Sequence, residues 1–561
     1  MKRNLLALLL LTAFVLPSGL FAQTAAKLTS TAAKATPVAV KITPAERKVA
    51  EGVTASQLKN YLYFVASDAM EGRDTPSQGL DITAEFIKMN LEKWGFKPAG
   101  DNGTFFQKIA LKSESTDPAK NTLTINGVNY GLNDDFFRLQ GNIAASGPLV
   151  FAKDGWMIKS KGIDALSGID VKEKVVVVYS EGFPSRATLT RPPAGITRAD
   201  LTGTKGVDWA DPITYARTKG ASAIMLVASP QMQGAWGQIR AQFSRGNTFP
   251  EKLRESTPEN DAAKDFPVLL VSEKAGDAIF AGESAGKTSA TPFTINKTAE
   301  IQTASQSETK WTQNVVAIWE GSDPVLKNEM VAIGAHYDHV GMNPNLPGPD
   351  KIFNGADDDG SGTVSVLSIA EALSHAAKRP KRSVLFVWHC GEEKGLWGSE
   401  YFNKFPTVDI KNIIAQLNID MIGRSKKPGD TNPSNKELSG ENEIYVIGKD
   451  MMSSTLGSIV DGTNKGYLNI AYDTRYDDPK DPNRFFFRSD HFNYAQNGIP
   501  ITFWFDGVHE DYHQVGDSPD KIDYQKMEKV ARTILLTLLE LTDLKDRPKI
   551  DKQLPAELTQ R

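Results

Sequence analysis

The chain has 561 residues, 40% of them hydrophobic and 24% charged, the profile of a folding globular protein with room, at roughly 150 residues per domain, for about three or four units. Its 64 Lys and Arg stand against 68 Asp and Glu, a formal charge of -4. No general field draws polyanions, so composition gives nucleic-acid binding no support, and disorder or a peptide-sized module is excluded as the whole story.

Lys2 and Arg3 precede an apolar run from Leu5 to Leu16, and small or neutral residues follow up to Ala22. This is the three-part layout of a secretory signal peptide, residues 1–22, with cleavage expected after Ala22. The run is too short to cross about 30 Å of hydrocarbon at roughly 1.5 Å per residue, and no cysteine near Ala22 offers a lipid attachment point. The expectation is a secreted or periplasmic protein with no stable membrane anchor. Cys390 is the only cysteine, so stability must come from the core and from bound metal rather than from an internal disulfide.

Residues 23–50 lack apolar periodicity and are rich in Ala, Thr, Lys and Pro, which predicts a flexible linker. In 51–140 the helical spacing of Leu58, Leu62 and Val65, then Ile82, Phe86 and Met89, predicts two helices separated by a turn-prone stretch from Gly72 to Gly79. Between 141 and 298 short apolar runs (Val175–Tyr179, Ala223–Val227, Val268–Val271) alternate with Gly, Pro and Ser, predicting a separate mixed-β module. Over 299–545 strands at Val315–Trp319, Met330–Ala335, Ser383–Trp388, Ile413–Ile419, Ile444–Ile447 and Ile499–Phe505 alternate with helices at Thr363–His375 and Gln525–Leu541. That alternation predicts an α/β fold, a mixed and mostly parallel sheet flanked by helices, before a polar tail at 546–561.

In open α/β sheets ligands bind beyond the carboxyl ends of strands. The predicted strands lead into His336 and Asp338, into Glu392 and Glu393, into Asp420, and into a loop with His509, Asp511, Tyr512 and His513. A Gly-rich turn carries Asp357, Asp358 and Asp359 just before a helix, able to direct one carboxylate inward while its neighbours face the helix N-terminus. Imidazole and carboxylate donors together suit zinc, or less selectively cobalt and manganese. Two metals sharing a carboxylate can hold a bridging water as hydroxide near neutral pH, and the adjacent Glu392 and Glu393 then read as one base and one ligand.

At these residues the sequence resembles the M28 family of zinc peptidases. The resemblance rests on His336-Tyr337-Asp338, Gly355 to Gly362, Glu392 to Ser399, Asn418 to Gly423, Tyr512-His513 with Asp517, and the leading Ser67 to Arg73. It implies two zinc ions bridged by Asp358, with His336 and Asp420 completing one site and Glu393 and His513 the other. Glu392 is then the general base, Asp338 the residue orienting His336, and Tyr512 a donor to the developing oxyanion. The inserted segment 141–298 is similar to the protease-associated domain of that family, expected to position or restrict peptide substrates. The implied activity is that of a secreted aminopeptidase; carboxypeptidase-type or glutaminyl-cyclase-like chemistry, or a non-catalytic peptide-binding role, are the alternatives.

Other residues carry plainer readings. Ser489-Asp490-His491 does not face itself as a nucleophilic triad must, and no Gly-x-Ser-x-Gly elbow occurs. Cys390 reads as a buried thiol, and His339, His389, His491 and His509 as supporting or wall residues. Phe485, Phe486 and Phe487 with Trp397 fit a specificity pocket and ordinary core packing equally well.

Overall fold

Uninterrupted apolar runs such as Val175–Val178 and Val331–Ile333 suit strands buried on both faces, and the chain builds two sheets from them. The computed structural model describes residues 40–179, 192–244, 246–254 and 265–559; the expected signal peptide and residues 23–39 of the expected linker lie outside the described residues, and the end of that linker is instead a helix, Pro44–Ala50, capped by the Thr43 side chain. Two compact units result, one of Lys112–Thr309 and the other of the described chain up to Leu111 together with that from Lys310 onward. Among the described residues no helix is long and apolar enough to cross a membrane.

In the second unit, seven strands lie in the order Ser305–Trp319, Ser383–His389, Met330–His336, Ile413–Ile419, Ile501–Phe505, Glu443–Ile447, Ala471–Asp473. The four from Ser383–His389 to Ile501–Phe505 are mutually parallel, and antiparallel neighbours flank them. This is the mixed, mostly parallel sheet expected. Met330, Ala332, Leu385 and Val387 join Phe402 and Phe492, from helices Trp397–Lys404 and His491–Gln496, in one apolar cluster. Side chains alternate along a strand, so Val331 and Ile333 face the other side, where helices Gly362–Ser374 and Tyr524–Asp543 pack on the same strand.

The first unit holds an eight-stranded mixed sheet with Val175–Tyr179 and Ala223–Val227 near its middle. Val176, Val178, Ile224 and Leu226 enter one apolar cluster, while Val175, Val177, Ala223 and Met225 enter another. Alternation thus fills a core on each face. The unit begins earlier than the segment 141–298 read from the sequence, because Thr122–Ile125 pairs with the strand through Gln302 and Phe136–Gln140 pairs with Val268–Val271. Residues 112–140, read as part of the leading segment, therefore belong to the inserted unit.

The leading helices Ala55–Val65 and Gln78–Lys93 are tied to the sheet unit by a kinked segment around Arg73. Gly72 has φ +67°, and a Cβ there would meet the carbonyl oxygens of Gly341 at 2.3 Å and Phe353 at 2.5 Å, so only glycine fits. The fully buried Arg73 guanidinium donates to the carbonyls of Tyr337 (3.0 Å), Val65 (2.8 Å), Asn354 (2.7 Å) and Gly355 (2.9 Å). Burial lowers its pKa to about 10, against the pull of Asp338, Asp517, Asp358 and Asp359, and it stays charged at neutral pH. Arg73→Met removes a charge and leaves four carbonyls without this donor, at about 1–3 kcal/mol for each that stays dry. Urea unfolding of Arg73→Met is expected to show a clearly lowered midpoint for the unit containing the 330–336 strand.

Candidate metal centre

Three parallel strands end side by side at His336, His389 and Ile419, and their loops carry the candidate donors. The acidic turn that follows is sorted by its neighbours. Asp517 accepts backbone N–H groups from Asp357 (3.0 Å) and Asp358 (3.1 Å), pinning the turn. Asp357 accepts the Gly423 N–H (2.7 Å), with its other oxygen 3.2 Å from His509 Nε2. Asp359 accepts the N–H groups of Gly362 (2.8 Å), at the start of a helix, and of Met421 (3.2 Å). Asp358 lines the cleft, while Asp359 keeps its second oxygen without a hydrogen-bond partner, beside His336 and Asp420.

One oxygen of Asp358 lies 3.2 Å from His336 Nε2 and the other 3.0 Å from His513 Nε2. On the first side, His336 Nε2 is also 3.6 Å from Asp420 Oδ1. On the second, Glu393 Oε2 is 3.0 Å from His513 Nε2, and Glu393 Oε1 is 2.9 Å from His339 Nδ1. The five donors expected from the sequence lie in two adjoining clusters, His336 and Asp420 in one and Asp358, Glu393 and His513 in the other, with Asp358 3.2 Å from His336 across them. The second cluster, His339, Asp358, Glu393 and His513, contains one donor more than expected, a second imidazole; Asp359 joins His336 and Asp420 in the first. Burial first, then Asp420, pushes the Asp359 carboxyl up, and a bond from Met421 N–H opposes this; Asp420 is raised by burial in the same way.

Glu392 Oε2 lies 4.0 Å from His336 Nε2. Burial first, then the charges of Glu393 and Asp420, push the Glu392 carboxyl well above the usual range against the pull of His336. Glu393 is the opposite case: burial and Asp358 raise it, but His513 and His339 beside it hold it down at about 2. Two neighbouring glutamates therefore sit in contrasting states, set by which histidines each one meets. Burial lowers His513, yet Glu393 and Asp358 overcome it and raise the imidazole to about 11.

Asp338 was expected to orient His336. Its backbone carbonyl is nearer, 3.2 Å from His336 Nδ1, with the carboxylate at 3.6 Å. The carboxylate instead accepts the Glu392 N–H (3.1 Å) and the Thr75 hydroxyl (3.1 Å), so Asp338 holds the Glu392 backbone as well as the ring. Tyr512 stacks on His513 at 4.0 Å, and its hydroxyl accepts from Arg488 (3.1 Å). Arg488, absent from the sequence expectation, sits over Phe485 at 4.9 Å in the cleft lined by Glu392, Asp420 and Phe503. Of the three phenylalanines only Phe485 lines this cleft; all three lie in the core. Cys390 is buried, and burial pushes its thiol well up.

The residues fit a bound cation on an independent ground. Buried His336 Nε2, His513 Nε2, both ring nitrogens of His339 and Glu393 Oε1 have no hydrogen-bond partner, although imidazole nitrogens and carboxylate oxygens lie within 4 Å of one another. Atoms that approach without aligning to each other face a common point, the arrangement a metal requires and a hydrogen-bonded core avoids. His513 at φ 53° and Met421 at φ 60° add left-handed non-glycine residues, a strain of about 1–3 kcal/mol each that clusters at functional sites.

Imidazoles and carboxylates gather beyond the ends of parallel strands as a candidate metal-binding centre. Residues 314–538 match the model of peptidase family M28. Leupeptin-inactivating enzyme 1 of Streptomyces exfoliatus is 30% identical over 197 residues, 35% of this chain and 36% of that one. Leucine aminopeptidase 2 of Trichophyton rubrum is 25% identical over 287 residues, 46% of this chain and 51% of the relative. The chain thus spans between about a third and a half of the length of these relatives. Among solved structures, the aminopeptidase from Aneurinibacillus sp. strain AM-1 is 17% identical, aligned over 91% of this chain and 98% of its own, with a TM-score of 0.47.

Divalent cations that bind only the folded centre must stabilise it, by about 2.7 kcal/mol at a hundred times the dissociation constant. Chelation is expected to lower the thermal midpoint and added zinc to restore it. Asp358→Asn, which weakens both clusters at once, should abolish most of that zinc-dependent rise in a calorimetric scan.

Proposed function

We propose that this chain is a dinuclear zinc aminopeptidase acting outside the cytoplasm, with zinc held by His336, Asp358 and Asp420 on one side and by Asp358, Glu393 and His513 on the other. The observation that carries the reading is Asp358, whose two oxygens each face a different imidazole, His336 at 3.2 Å and His513 at 3.0 Å, as a bridging carboxylate must. Zinc bound there supplies Lewis-acid polarisation of the scissile carbonyl and lowers the pKa of coordinated water.

The chain's own groups then divide the work. Glu392 borders the cluster with a carboxyl displaced upward by burial, suited to take a proton from the attacking water and return it to the leaving amine. Asp338 fixes the Glu392 backbone through its N–H and so fixes where that proton goes. The Tyr512 hydroxyl, which accepts from Arg488, keeps its own proton free for a developing oxyanion. The carboxylates of Glu392 and Asp420 in the cleft favour a substrate's free ammonium, and Phe485, Phe503, Phe505 and Val508 favour an apolar N-terminal side chain. The names of the relatives, leucine aminopeptidases among them, agree with this choice. The inserted unit has no metal-type cluster among its described residues; its resemblance to protease-associated domains assigns it substrate restriction rather than chemistry.

Glu392→Gln is the deciding variant. Two zinc ions per chain should remain by elemental analysis while kcat on leucine p-nitroanilide falls by about 10²–10⁴. Unchanged kcat removes Glu392 from the mechanism. Turnover confined to peptides with a blocked N-terminus, or cyclisation of N-terminal glutamine, replaces the aminopeptidase reading.

A further inference from the structure

We propose that His339 is a fourth protein donor to the cation held by Asp358, Glu393 and His513, so that the two metal positions are unequal. The inference rests on the dinuclear reading above and extends it to a residue that reading does not use.

His339 follows the His336 strand by three residues and is 0% exposed. Its backbone N–H donates to the Arg73 carbonyl at 3.1 Å, and its ring packs so closely on Gly355 that a Cβ there would lie 2.4 Å from its Cγ. Both the chain and the ring are therefore fixed. The Nδ1 atom lies 2.9 Å from Glu393 Oε1 and 3.8 Å from Asp358 Oδ2, and the ring stands edge to face with His513, centroids 5.5 Å apart.

A supporting hydrogen bond from His339 to Glu393 would account for the short distance, but not for the alignment. Neither His339 Nδ1 nor Glu393 Oε1 has a hydrogen-bond partner although they are 2.9 Å apart, so neither points its proton or lone pair along the line between them. Donor atoms of His339, Asp358, Glu393 and His513 all fall within 4.8 Å of one another, compatible with one ion at roughly 2.0–2.2 Å from each. A buried imidazole with both nitrogens unpartnered is costly unless something else takes a lone pair.

The consequence is a division between the two positions. Four protein donors nearly fill a tetrahedral shell, as in sites that hold zinc permanently, whereas His336, Asp358 and Asp420 leave a position open, as reactive sites do. The ion beside His339 anchors the centre and the ion beside His336 is the exchangeable one, with room for substrate.

The test uses the metal-free full chain given one equivalent of zinc, with X-ray absorption at the zinc edge counting imidazole ligands. Two imidazoles are expected, His339 and His513. A single imidazole in the wild-type protein overturns the proposal, whether His339 only supports Glu393 or the first ion settles beside His336. Failure to retain any zinc would instead overturn the dinuclear reading. His339→Ala is expected to leave one imidazole and to weaken the first binding step at least about tenfold in a competition titration, with the second step unchanged; an unaltered first step counts against the proposal. Should that variant not fold, the wild-type ligand count decides alone.

Discussion

The constraint on which the second unit depends is the crowding of carboxylates in a place without water. Asp338, Asp357, Asp359, Asp490, Asp506 and Asp517 are all 0% exposed, with Asp358 at 3% and Asp420 at 6%. Moving one such anion from water into a dry interior costs several kcal/mol even after relaxation, and neighbours of like sign raise that further. The fold answers with fixed partners. Backbone N–H groups of a tight turn point at Asp517, Arg424 reaches Asp511 at 2.8 Å and approaches Asp517 at 3.8 Å, and Arg73 lends its charge from the leading helices. Among the buried polar atoms left without a hydrogen-bond partner are Glu393 Oε1, His336 Nε2, both ring nitrogens of His339 and His513 Nε2, which stand close together around Asp358. The same crowding that threatens stability makes the centre attractive to cations, so binding and folding are coupled there.

The sheet explains why the centre has this shape. Parallel strands deliver their carboxyl ends to one edge, and each end contributes a residue type that its interior positions could not tolerate. His336, the Glu392-Glu393 pair and Asp420 were legible in the sequence for this reason: apolar β-rich runs stop abruptly at imidazole or carboxylate, and the α/β alternation puts those stops together. The choice of Asp358 among its neighbours came from the resemblance; the turn places it 3.2 Å from His336 and 3.0 Å from His513, with Asp359 beside His336 and Asp420.

Other parts were not legible, for identifiable reasons. His339 lies three residues past a strand, where periodicity carries no information, and a lone histidine in a loop is ordinarily structural. Arg73 occupies a turn-prone stretch, and its four acceptors are carbonyls, which any residue supplies and no pattern reveals. The early start of the inserted unit was hidden because strands such as Thr122–Ile125 are short and find partners more than a hundred residues later. Arg488 meets Tyr512 only through the fold, since 24 residues separate them.

One feature of the chain's route has a temporal side. The kinked segment carrying Arg73 is made early, yet its acceptors Asn354 and Gly355 come 281 and 282 residues later, and His513 later still. At about 5–20 residues per second of synthesis, the leading helices must wait tens of seconds for the partners that satisfy Arg73. The inserted unit contributes both edges of its own sheet and has no such dependence on late residues. A growing chain can therefore complete that unit, which ends at Thr309, while the other still lacks its last imidazole, His513.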